Sequence, residues 1–140
     1  MSRSAEFSAR LVGGRVQGRT IVGKLVHRGT VAIDGDRMGW KPGALSRAFF
    51  MREPIEFDEV LHIQIIESFW GGVTFFPNAG VGPLIGFHAR GSVLASALEG
   101  AGYTSTSNSN WPGVSVAVPD GRRPIWTSEG PRSELAGTTS

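Results

Sequence analysis

The chain has 140 residues, a formal net charge of +2 and no cysteine. That length supports a single modest core, and the missing thiols exclude disulfides, a cysteine nucleophile and thiolate metal sites, so a cytoplasmic setting is the expectation. Charge is uneven: ten basic against three acidic residues give 1–52 a charge of +7, and four against nine give 53–140 a charge of −5. A basic face for an anionic partner, or two fields that neutralise each other in one fold, follows from this asymmetry. The N-terminal residues lack an apolar signal core, and no apolar run approaches the roughly 18 residues of a spanning helix.

Strand signals fill residues 7–90. Phe7–Val12 alternates loosely, and Thr20–His27 places Ile21 and Leu25 on one face and Val22 and Val26 on the other. The segment Gly29–Trp40 reads as a hairpin, with Val31 and Ile33 on one arm, Met38 and Trp40 on the other, and a turn at Asp34-Gly35-Asp36. Lys41-Pro42-Gly43 ends that ladder, and Ala44–Glu53 has no clear period, which leaves a loop or a short helical turn.

Pro54–Phe57 alternates again. Val60–Phe69 continues with Leu61, Ile63 and Ile65 inward and His62 and Gln64 outward, until Ile66 breaks the phase. Either a bulge sits there or both faces of the strand are covered. Gly71-Gly72 marks a turn before Val73–Phe76, and Pro77–Gly80 a loop before Pro83–His88. The one convincing helix runs from Ser92, as N-cap, to about Gly100, with Val93, Leu94, Ala97, Leu98 and Ala101 along one side and Gly100 or Gly102 as left-handed cap.

From Thr104 the composition turns to Ser, Thr, Asn, Gly and Pro, too polar to offset its own ordering entropy. Residues 104–140 are therefore expected to be a mostly disordered tail, with 113–127 as an edge hairpin or a strand donated to a partner.

Constellations that force a particular chemistry are lacking. Gly13–Thr20 approximates a phosphate-binding loop but is followed by the β-type run Ile21–Val26, so it reads as a glycine-bent connection. His27, His62 and His88 have no metal-ligand spacing, and Ser92 lacks the second glycine of a nucleophile elbow. Asp34 and Asp36 are turn residues, while Asp58 and Glu59 would diverge on a strand. The basic residues have too few interleaved aromatics for a nucleic-acid face. Trp70 beside Gly71-Gly72 is either an aromatic exposed to a partner or membrane surface, or packed beneath the helix.

The hairpin Gly29–Trp40, the Pro54–Val60 segment, the Gly-Gly turn and the closing helix resemble the bacterial pleckstrin-homology-like and GRAM-like pattern over roughly residues 20–102. The resemblance implies a mainly β fold. It would be a small antiparallel barrel of about seven short strands, plugged by one C-terminal helix, over residues 1–103 with the flexible tail beyond. It also implies a non-catalytic binding or adaptor module for a protein, a peptide or an anionic membrane surface, with no catalytic residue, metal or cofactor. Candidate contact residues are Lys24, Arg28, Arg37, Lys41 and Trp70. The alternative is a small β-barrel enzyme or ligand-binding protein using Arg28, Arg37 or His62 in a basic pocket.

Overall fold

Phe7, Ala9 and Leu11 are buried while Glu6, Ser8 and Arg10 between them are exposed, so the strand β1 (Ser4–Val12) has one face in a core and one in water. The same period of two orders β4 (His27–Asp34) and β5 (Arg37–Pro42), where Val31, Ile33, Met38 and Trp40 point inward. Asp34 sits opposite Arg37, leaving Gly35 and Asp36 as a two-residue turn in which Gly35 takes a φ of +60°. Trp40 is fully buried and its Nε1 donates to the Ala9 carbonyl at 3.2 Å. A side chain on Gly29 would begin 2.5 Å from the Trp40 ring, which is why this position of the strand carries none.

These strands belong to a computed structural model that describes residues 4–12, 16–17, 20–21, 27–45, 48, 53–67, 71–79, 85–128 and 130–136. Beyond the short pair β2 (Val16–Gln17) and β3 (Thr20–Ile21), the chain continues as β6 (Ile55–Phe57), β7 (Ile63–Glu67), β8 (Val73–Pro77) and β9 (Gly86–Ala89). Then follow the helix α1 (Gly91–Gly100), β10 (Tyr103–Ser107), β11 (Val114–Pro119), β12 (Arg122–Thr127) and β13 (Gly130–Leu135). Nine strands form one antiparallel sheet in the order β10-β11-β7-β8-β9-β1-β4-β5-β6. Leu11, Phe87, Phe75 and Ile65 lie side by side across it, and Phe75 and Phe87 stack with ring centroids 5.4 Å apart.

A closed barrel of about seven strands with a flexible tail is therefore not the fold. The edges β6 and β10 are joined by no ladder among the described residues, and the segment after the helix is folded. β11 inserts between β10 and β7 with Val114 opposite Ile66 and Ala117 opposite Ile63. Nor does 113–127 make an edge hairpin, because β12 pairs with β13 instead of β11. The register through Ile65 and Ile66 is unbroken, so of the two readings of that phase break the structure takes the one without a bulge.

β11 explains why. Ala117 faces the main core, while Val116 and Val118 on the opposite face are also buried. The hairpin β12–β13 covers that second face, and Gly130 packs against Gln64. On the core face of the sheet, α1 lays Leu94, Ala97 and Leu98 against Phe7 and its neighbours. The helix begins one residue before the expected Ser92: its N-cap is Arg90, with no side-chain cap bond, because β9 runs directly into it. Val93 is 38% exposed and outside the core. At the other end Gly102 takes a φ of +88° and supplies the left-handed stop. Among the described residues no helix is long and apolar enough to cross a membrane.

Candidate functional site

Where the outer faces of β9, β1 and β4 meet, the register puts basic side chains in one row. Arg10 stands opposite His88 on one side and Arg28 on the other. Directly opposed residues on one sheet face have Cβ atoms about 5 Å apart, so the two guanidinium stems start as close neighbours. Arg90 follows at the end of β9, and Arg10, Arg28 and Arg90 are all exposed. These four residues, with Glu6 and Val93, line a groove of about 740 Å³. None of the three arginines is ion-paired to a carboxylate among the described residues.

Elsewhere the chain pairs opposite charges across its ladders. Arg123 on β12 is ion-paired with Glu134 directly opposite on β13, and Asp34 stands opposite Arg37. Like charges directly opposed on a sheet are destabilising, so the Arg10–Arg28 pair departs from the local rule.

Of the residues expected to bind, Arg28 lies in this groove. Lys41 is on the same exposed face, two residue pairs along, opposite Thr30, and borders a smaller hollow of about 210 Å³ with Glu6 and Glu56. Arg37 is at the far end of the hairpin: its partner Asp34 lies six residues beyond Arg28, roughly 20 Å at about 3.3 Å per residue. Lys24 and Trp70 lie outside the described residues, as does most of the glycine-bent Gly13–Thr20 segment. Arg10, His88 and Arg90 are the additions. Arg10 sits in antiphase to Leu11, a pattern visible in the sequence, but only the pairing of β1 with both β4 and β9 sets it beside Arg28 and His88.

His62 belongs to a different place and is 2% exposed, not outward-facing. Its Nε2 donates to the Ala79 carbonyl at 3.1 Å, because a carbonyl can only accept, and the same oxygen accepts from Arg132 Nη1 at 2.7 Å. The remaining nitrogen, Nδ1, has no partner among the described residues. Burial lowers the His62 pKa from its ordinary 6.5, the Ala79 carbonyl opposes that, and Arg132 and Arg122 lower it further.

Around it the polar groups are committed to holding loops. Asn78, at a φ of 53°, accepts from the Leu61 amide at 2.6 Å through Oδ1 and donates to the Glu59 carbonyl at 2.7 Å through Nδ2. Ser133 donates to the Leu61 carbonyl at 2.5 Å while accepting from Arg122 Nε at 3.2 Å. The cluster pins β12–β13 to the loop before β7, and its one serine hydroxyl is bound to a carbonyl, not aimed at His62. Arg28, Arg37 and His62 thus lie in three separate regions, and of the three Arg28 is the one that borders the basic groove. Comparison with protein-family models, with curated proteins and with solved structures finds no match.

Proposed function

We propose that the chain is a non-catalytic binding module that holds an acidic segment of a partner protein in the groove of Arg10, Arg28, His88 and Arg90. The observation that carries this reading is Arg10 directly opposite Arg28 with neither ion-paired to a carboxylate among the described residues. Two exposed guanidinium groups repel each other in the free protein, and each can take a carboxylate in bidentate fashion. A carboxylate seated between them turns that repulsion into attraction, so the cost borne by the free protein becomes binding free energy.

The surroundings favour an acidic chain over a lipid surface. Glu6 lines the groove itself and Glu56 stands by Lys41, so the positive field is local and bordered by carboxylates, where an anionic bilayer would be drawn to an unbroken basic face. Val93 at the groove wall gives an apolar contact beside the charges. Titration of the isotope-labelled protein with a glutamate-rich octapeptide is expected to shift the amide signals of Arg10, Arg28, His88 and Arg90, with the effect shrinking as salt screens it. Shifts confined to other regions, or tighter binding to anionic vesicles than to the peptide, would replace this reading.

A further inference from the structure

The helix side of the sheet holds a second opening, chemically the reverse of the first. α1 and β10 leave the turn at Ala101 and Gly102 in opposite chain directions, and between them and β7 lies a cleft of about 620 Å³. That is the size of a small-molecule site. Leu94 and Leu98 from the helix and Ile65 and Val73 from the sheet give it apolar walls. Trp111, half-buried in the β10–β11 connection, borders it, and Ser105 and Ser107 of β10 and Ser115 of β11 line it.

Among the described residues lining this cleft Glu67 is the one charged group. Its backbone N–H is held by the Gly113 carbonyl at 2.9 Å, which fixes the end of β7 beside the Trp111 connection, while its carboxylate is not in an ion pair among the described residues. We propose that the cleft binds a small organic monocation carried on a hydrocarbon body, an alkylammonium. The apolar walls take the hydrocarbon. The Glu67 carboxylate attracts the cationic head, the Trp111 ring offers its electron-rich face, and the hydroxyls accept from N–H groups. The same carboxylate repels an organic anion of equal size. This site is independent of the basic groove, so either can stand without the other.

The test is calorimetric titration of the intact protein with hexylammonium, hexanol and hexanoate. The cation is expected to bind about tenfold more tightly than hexanol, with hexanoate weakest. Glu67→Gln keeps the backbone bond to Gly113 and is expected to weaken the cation about tenfold while leaving hexanol unchanged. Trp111→Leu is expected to weaken the cation as well, and Arg10→Thr to leave it unaltered. Failure of the cation to bind below about 10 mM, hexanol or hexanoate binding as tightly as the cation, or a Glu67→Gln protein that binds the cation like wild type, would each overturn the assignment.

Discussion

The phenol of Tyr103 donates a 2.9 Å hydrogen bond to the carbonyl of Gly35, so a strand at one edge of the sheet touches a hairpin turn near the other. Beside it the Val60 amide donates to the Asp36 carbonyl at 2.6 Å. Among the described residues these contacts bring the two ends of the sheet together without a ladder closing it. Burial, and secondly the nearby Asp36, raise the Tyr103 pKa, which keeps the phenol a donor at any ordinary pH. Tyr103→Phe leaves the Gly35 carbonyl without this donor and is expected to lower unfolding free energy by about 1 kcal/mol, measured by urea denaturation.

The segment after α1 is part of the core. Ending the chain at Gly102 removes β10 and β11, strips β7 of one neighbour, and uncovers Ile63 and Ile65. Such a chain is expected to lose cooperative thermal unfolding, whereas a dispensable tail would leave the transition intact.

Acid should loosen the cover formed by β12–β13. The folded state depresses the His62 pKa below 6.5, so it binds the proton less well than the unfolded chain. Stability is then complete above the unfolded value and is lost as pH falls through 6.5 toward the folded value, at no more than about 1.4 kcal/mol per pH unit from this group. The charged groups that face it, Arg132 and Arg122, are both cations and add to the penalty. His62→Gln keeps a donor for the Ala79 carbonyl but cannot titrate. The wild-type loss of stability between about pH 7.5 and about pH 5.5 is expected to shrink in this variant, as read from urea midpoints.

Relieving the Arg10–Arg28 contact should help the fold. Arg10→Thr places a good strand former at an exposed β1 position and removes the like charge opposite Arg28. Thermal and urea unfolding are expected to report a gain of about 0.5 kcal/mol, the sign opposite to that of most substitutions.

The hairpin and the helix were legible in the sequence because their signals are local: Asp34-Gly35-Asp36 sets the turn, and Leu94, Ala97 and Leu98 recur at helical spacing. β10 was not, since at the sheet edge only Tyr103 of its five residues is buried, and Thr104–Ser107 therefore has the composition of a linker. β11 was expected as a strand within 113–127, but at an edge, and its inner place was hidden for another reason. Both its faces are covered, one by the core and one by β12–β13, so its surroundings depend on pairings with β7 that no local pattern encodes. The groove shares that property. Arg28 was visible as a candidate contact cation, but its significance comes from Arg10 and His88, which arrive from strands distant in sequence.

The central claim is that Arg10 and Arg28 together hold an acidic ligand, and the dissociation constant of a glutamate-rich octapeptide for the Arg10→Thr/Arg28→Thr protein, by fluorescence anisotropy, tests it most directly. Both side chains are exposed, so the doubly substituted protein is expected to stay folded and to bind at least about tenfold more weakly than wild type. Equal affinity in the two proteins would contradict the account.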